Sequence, residues 1–179
     1  IEHALFVGNS LPIREVDMFS VNRKTPSRIA ANRGASGIDG QIATACGWAM
    51  GHRQPTIILL GDLSAMHDLN SLLLLRESPV PMTLIILNND GGGIFSMLPI
   101  SKQKDVFERF FGTPHGCEFS KVAAMFDLSY FQPENLEQLK KSLQEAWQSN
   151  RSTLIEVKTD REQTVAQLLA WQDHVKNHA

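Results

Sequence analysis

Short apolar runs rich in β-branched residues alternate along this chain with longer stretches of helical periodicity. Residues 4–7, 28–31, 56–60, 83–87, 128–131 and 153–157 read as six strands. Runs 56–60 (Thr-Ile-Ile-Leu-Leu) and 83–87 (Thr-Leu-Ile-Ile-Leu) are apolar at nearly every position, the pattern of central strands covered by helices on both faces. Asn135 followed by Gln138 forms a capping-box pattern, after which Leu136, Leu139, Leu143 and Trp147 recur on one helical face. Asp160 and Gln163 repeat the device ahead of Val165, Leu168, Leu169 and Val175. A helix starting near Ser64 is expected to end at Pro79 and Pro81, which lead into the next strand. This alternation predicts an α/β domain, a doubly wound, mostly parallel six-stranded sheet with helices on both faces.

The chain shows no repeat, low-complexity tract or internal linker, so residues 1–179 are expected to form a single domain. At this length a domain buries about 70% of its unfolded surface, and the core needs neither disulfides nor a structural metal. Lys and Arg number 17 against 19 Asp and Glu, with no long run of one sign. That balance excludes the basic footprint of a nucleic-acid binder and leaves a small molecule as the expected partner. No apolar stretch approaches the ~20 residues of a membrane span. Cys46 and Cys117 lack metal-ligand or CxxC spacing, so both are expected to be packing residues in a reducing, cytoplasmic setting. The chain opens at Ile1 and enters an apolar run within four residues, and it is expected to be a fragment of a longer protein.

In an open parallel sheet, ligands bind beyond the carboxyl ends of the strands, so the residues just past each strand matter most. The first strand runs into Gly8-Asn9-Ser10, the second into Asn32-Arg33-Gly34 and the third into Gly61-Asp62. The fourth runs into Asn88-Asn89-Asp90 and three glycines, while the last two lack such clusters. Turn chemistry accounts for any one of these, but four at corresponding positions predict a ligand crevice. Gly34, Gly37 and Gly40 precede a helix of small residues and offer backbone N–H groups to a diphosphate, although neither GxGxxG nor GK[ST] is present. Asp62 and Asn89 come directly after adjacent strands and are hard oxygen donors, suited to Mg²⁺ shared with phosphate oxygens and a carbonyl of the glycine run. Equally, Asp62 could cap the following helix and Asn89 shape a turn.

Gly61-Asp62 and Asn88-Asn89, with 27 positions from Asp62 to Asn89, resemble the GDG…NN signature of thiamine-diphosphate enzymes. Leu63 stands where that signature has its second glycine. Segments 32–40, 61–68 and 107–115, the last reading Phe-Glu-Arg-Phe-Phe-Gly-Thr-Pro-His, extend the resemblance to the branch of the family that acts in menaquinone biosynthesis. The resemblance implies a transferase that decarboxylates 2-oxoglutarate and adds the succinyl carbanion to isochorismate by 1,4-addition, using thiamine diphosphate and Mg²⁺ or Mn²⁺. It implies that Asp62, Asn89 and the Gly91 carbonyl hold the metal. Cofactor binding would fall to Ser36, Gly37, Gly61, Asp62, Ser64, Ala65 and Asn89, with Ile38 as the aliphatic wedge beneath it. Substrate binding would fall to Asn9, Ser10, Arg14, Arg33, Ile94 and Phe95, the arginines because a guanidinium fork pairs with carboxylate. His67 would be a structural residue near the cofactor, and Phe107, Phe110 and Phe111 either a lid or core.

The resemblance covers only the carboxy-terminal, diphosphate-binding domain of such an enzyme and brings no catalytic residue of its own. The activating glutamate is expected on an aminopyrimidine-binding domain from a second subunit of a homodimer or homotetramer, so the isolated domain is expected to be inactive. The alternatives are another thiamine-diphosphate decarboxylase or carboligase, acetolactate-synthase-like, and a non-catalytic nucleotide- or phosphate-binding module of the same architecture.

Overall fold

A computed structural model describes residues 3–20, 28–32 and 37–178. Its strands are β1 (Ala4–Val7), β2 (Ile29–Ala31), β3 (Thr56–Gly61), β4 (Met82–Asn88), β5 (Ser129–Phe131) and β6 (Thr153–Lys158), each within one residue of the bounds read from the sequence. All pairings are parallel, in the order β2-β1-β3-β4-β6-β5. The helices are α1 (Leu11–Phe19), α2 (Gln41–His52), α3 (Asp62–Met66), α4 (Leu72–Glu77), α5 (Lys104–Phe107), α6 (Phe119–Met125), α7 (Leu136–Ser149) and α8 (Arg161–His178). The chain runs from β1 to β2 on one side, then back across β1 to β3 on the other. The carboxyl ends of β1 and β3 therefore flank a topological switch point, where the two following segments diverge and leave a crevice.

Right-handed crossovers place α2, α3, α4 and α6 on one face and α1 and α7 on the other. On the first face Ile42, Cys46, Leu72, Leu75 and Phe119 pack against Phe6, Ile58, Leu60, Leu84, Ile86 and Leu154 in one buried cluster. The second face is covered more lightly than the apolar runs predict: Ile57, Leu59 and Ile85 are only half-buried.

The N-cap bond of each device forms. Asn135 Oδ1 accepts from the Gln138 N–H at 3.0 Å while Gln138 Oε1 accepts from the Glu134 N–H at 2.8 Å, and Asp160 Oδ1 accepts from the Gln163 N–H at 2.7 Å. In α7 the inward face is Leu139, Ser142, Leu143 and Ala146; Leu136 is exposed and Trp147 stacks on His3. In α8 Leu168 is buried, whereas Leu169 and Val175 face solvent.

The single helix expected from Ser64 to Pro79 is instead two, α3 and α4, joined through a 3-10 turn over Leu69–Ser71. Asp68 breaks it. Its carboxylate leaves the helix to accept from the Ala43 N–H in the first turn of α2 (2.9 Å) and from the Ser71 hydroxyl (2.5 Å), the competition with helix that aspartate is prone to. Cys46 is buried in the core, where burial first and the Asp68 charge second push its thiol up to about 12. Cys117 is exposed, so it is not the packing residue the sequence suggested.

Candidate active site

The polar strand ends meet at the switch point around a cavity of about 270 Å³ lined by the ends of β3 and β4 and by the segments that follow β1, β2, β3, β4 and β6. At the end of β1, Asn9 is buried and held at two points: its N–H donates to Gln41 Oε1 (2.9 Å) and its Nδ2 to the Gly37 carbonyl (2.7 Å), which Gln41 Nε2 also reaches (3.2 Å). Asn9 Oδ1 is buried with no partner among the described residues. Ser10, at φ 75° and ψ −130°, occupies a conformation few side chains adopt and begins α1 at the cavity wall.

Asp62 opens α3 at the end of β3 and is 2% exposed. Its Oδ1 accepts from the Leu63 N–H (2.7 Å) and its Oδ2 from the Gly91 N–H (2.9 Å). The His115 ring adds a third contact, Nε2 standing 3.2 Å from Oδ2. His115 Nδ1 accepts from the Cys117 N–H at 2.9 Å, which leaves the ring proton on Nε2, pointed at Asp62. Leu63 takes the place of a glycine without strain, because position 63 lies in right-handed helix and has no positive φ.

The turn after β4 is clamped by segment 108–116. Asp90, at φ 57°, accepts from the N–H groups of His115 (3.0 Å) and Gly116 (2.8 Å). The Gly116 N–H first, with the His115 N–H and the Arg161 charge behind it, holds the Asp90 carboxyl below its usual range despite partial burial. The Gly92 N–H donates to the Gly112 carbonyl at 2.7 Å. A Cβ at Gly91, already at φ 133°, would collide with that carbonyl oxygen, and one at Gly92 with the carbonyl of Phe111, so both positions require glycine.

These groups fit a divalent cation and its anionic ligand. Asn89 Oδ1 is buried, and Asn89 lines the cavity with Asp62; among the described residues that oxygen has no hydrogen-bond partner. Among the described residues no cluster of three His, Cys, Asp or Glu could hold a metal. A cation would therefore take Asp62, Asn89 Oδ1, a backbone carbonyl and ligand oxygens, the mixed hard donor set that Mg²⁺ accepts.

The cavity brings together Ser10, Ile38, Gly61, Asp62, Ser64, Asn89, Gly91, Ile94 and Phe95 of the residues singled out in the sequence. Asn9 and Gly37 stand just behind, in contact with each other. Ala65, next to Ser64 in α3, turns its side chain into the core. Arg14 is exposed and its Nη1 donates to the Ser10 carbonyl at 2.5 Å. Arg33 and Ser36 lie outside the described residues. His67 is exposed at the end of α3. The phenylalanines divide: Phe107 is buried, Phe110 is exposed, and Phe111 stacks on Phe107 while meeting Phe95 edge-on at 5.8 Å.

Four contributors lie outside the site residues read from the sequence. Glu15 of α1 lines the cavity, and burial pushes its carboxyl up. Thr159 and Thr164 line it too, so the end of β6 contributes to the site although it lacks the glycine that marks the first four strand ends. Only the Asp160 cap, which starts α8 at the sheet's carboxyl edge, could have indicated this. His115 reaches Asp62 from 53 residues away.

An open parallel sheet that gathers a buried carboxylate, an unsatisfied amide oxygen and a glycine turn at its switch point defines an α/β cofactor-binding domain. The sequence profile described as "Thiamine pyrophosphate enzyme, C-terminal TPP binding domain" matches residues 15–157, and the chain belongs to that family. It is 47% identical over 165 residues to 2-succinyl-5-enolpyruvyl-6-hydroxy-3-cyclohexene-1-carboxylate synthase of Rubrobacter xylanophilus, covering 92% of this chain and 28% of that protein. The same-named proteins of Aeromonas salmonicida and Shewanella frigidimarina are 47% and 45% identical over 95% and 99% of this chain, in each case 30% of theirs. The chain thus spans under a third of the length of the curated relatives it matches. Among solved structures, the thiamine diphosphate-dependent 4-hydroxybenzoylformate decarboxylase of Rhodococcus jostii RHA1 superposes with a TM-score of 0.74 at 22% identity, over 89% of this chain and 30% of that one. Benzoylformate decarboxylase from Polynucleobacter necessarius gives the same score at 17% identity, again over 89% of this chain and 30% of its own. Both share the fold. Among the described residues, no helix is long and apolar enough to cross a membrane.

Proposed function

We propose that these residues are the diphosphate- and metal-binding domain of a cytoplasmic synthase that decarboxylates 2-oxoglutarate and adds the succinyl unit to isochorismate in menaquinone biosynthesis. The observation that carries the reading is the buried pair at adjacent strand ends, Asp62 with its oxygens fixed by backbone N–H groups and Asn89 with its Oδ1 unsatisfied. The name shared by relatives 45–47% identical supports the particular reaction.

Asp62, Asn89 Oδ1 and the Gly91 carbonyl would hold Mg²⁺ or Mn²⁺, with Ser36, Gly37, Gly61, Ser64 and Ala65 along the diphosphate and Ile38 as its wedge. Bound thiamine diphosphate supplies an electron sink for decarboxylation. The chain's own residues shape what surrounds it: Ile94 and Phe95 exclude water from one wall, Asn9 and Ser10 offer hydrogen bonds, and Arg14 and Arg33 pair with substrate carboxylates. The activating glutamate would come from an aminopyrimidine-binding domain of a second subunit, which makes the lone domain inactive.

Calorimetry with thiamine diphosphate and Mg²⁺ against ATP and NAD tests the cofactor. Selective, Mg²⁺-dependent binding of thiamine diphosphate is expected, and preference for a nucleotide would overturn the reading. Substantial 2-oxoglutarate decarboxylation by the 179-residue chain alone would defeat the claim that a second domain is required. Product analysis with isochorismate in the complete enzyme separates this reaction from that of an acetolactate-synthase-like relative.

A further inference from the structure

Among the described residues, one buried carboxylate takes no part in lining the cavity. Glu156 of β6 lies opposite Ile86 of β4, in the row that continues Leu154 and Leu84, and is 1% exposed. An apolar residue would fill that row without the desolvation cost of a carboxylate. Its hydrogen-bond partners are neutral: Asn88 Nδ2 donates to Oε1 at 2.7 Å and the Tyr130 hydroxyl to Oε2 at 2.5 Å. Burial, and after it the bond to Glu156, push the Tyr130 phenol up, so it stays a donor at neutral pH.

The network leads to the metal seat through Asn88. That residue is held at three points: its Nδ2 by Glu156, its Oδ1 by the Asp90 N–H (3.0 Å) and its carbonyl by the Thr159 N–H (2.8 Å). Asn89 lies inside the clamped turn, and its unpartnered Oδ1 and the neighbouring Gly91 border the cavity. We propose that Glu156 is a positioning residue: by fixing Asn88 it sets the turn that presents Asn89 Oδ1 and the Gly91 carbonyl to a divalent cation, with Tyr130 continuing the network outward to Gln132. This rests on reading the cavity as a thiamine-diphosphate and metal site.

The test is Mn²⁺ affinity in the presence of thiamine diphosphate, followed by electron paramagnetic resonance on the full chain, beside thermal melting. Groups that orient metal ligands typically contribute about 10–100-fold in affinity, and a loss of that order is expected for Glu156→Ala. Glu156→Gln still offers an oxygen to Asn88 and should recover most of it. If Glu156→Ala does not fold, Asn88→Asp decides. It sets a second carboxylate against Glu156 and should weaken Mn²⁺ comparably, while Asn88→Asp combined with Glu156→Gln exchanges donor and acceptor and should restore binding. Variants that melt earlier yet bind Mn²⁺ like the wild type while folded would reduce Glu156 to a structural residue and overturn the proposal. A wild-type chain that binds neither Mn²⁺ nor the cofactor would instead sink the underlying reading of the cavity, and the proposal with it.

Discussion

Gly91 donates its backbone N–H to Asp62 Oδ2 at 2.9 Å, tying the turn after β4 to the end of β3 across 29 residues of sequence. The carboxylate is thus oriented before any ligand arrives, and Asp62→Ala removes both the charge and that tie. The variant should lose Mg²⁺-dependent binding of thiamine diphosphate while keeping its circular dichroism spectrum. The unpartnered N–H groups of Leu63 and Gly91 should lower its stability by about 1–3 kcal/mol. Unchanged affinity in a titration would remove Asp62 from the metal site.

Asp90 anchors the same turn from outside. Because its carboxyl is held below the ordinary value of 3.8, its ionised form stabilises the fold. That contribution is present above the ordinary value and is lost as pH falls through the lower folded-state value. Asp90→Asn keeps an acceptor and tolerates the positive φ but lacks the charge. Its melting temperature should fall below that of the wild type near neutral pH and converge with it in strong acid. A gap independent of pH would show that the charge contributes nothing.

Glu15 has the opposite sign. Burial raises its carboxyl above 4.5 in the folded chain, so the fold binds the proton more tightly than the unfolded chain does. Stability is lost as pH rises from the ordinary value through the raised one. Glu15→Gln should therefore melt higher than the wild type at neutral pH, with the advantage vanishing below the ordinary value. Parallel melting curves across that window would contradict this.

Gly92→Ala inserts a methyl group against the Phe111 carbonyl, backbone that has no rotamer to change. A cost of about 1–3 kcal/mol is expected from overpacking, concentrated where the two segments meet. Amide exchange at residues 111–116 should accelerate before exchange in β3 and β4 does. Uniform acceleration would argue against a local clash.

Asn135→Ala, remote from the cavity, should cost about 1 kcal/mol through the lost cap of α7 and leave cofactor affinity unchanged. A change in affinity would mean that α7 communicates with the site.

The strands were legible because a parallel sheet between helices imposes local apolar runs, as at 56–60 and 83–87. Asp62 and Asn89 were legible because strand ends bring short polar residues to one edge at fixed spacing. Illegible residues reach their positions by tertiary approach. His115 arrives on a segment wrapped against the glycine turn, Thr159 and Thr164 follow a strand end that has no glycine, and Glu15 sits between Arg14 and Val16 on a helix whose mixed pattern looks ordinary. The break between α3 and α4 escaped detection because the Ala43 N–H that Asp68 caps belongs to another helix.

The carbonyls of Phe111 and Gly112 occupy the volume that side chains at positions 92 and 91 would need. Neither segment can change its course alone. Over descent, a residue with a side chain could enter the turn only together with a rerouting of the wrapped segment, so the two stretches should be inherited as a unit. Among relatives, insertions or deletions within 107–116 should accompany altered composition at 91–93, leaving a trace of this packing that can be sought in sequences alone.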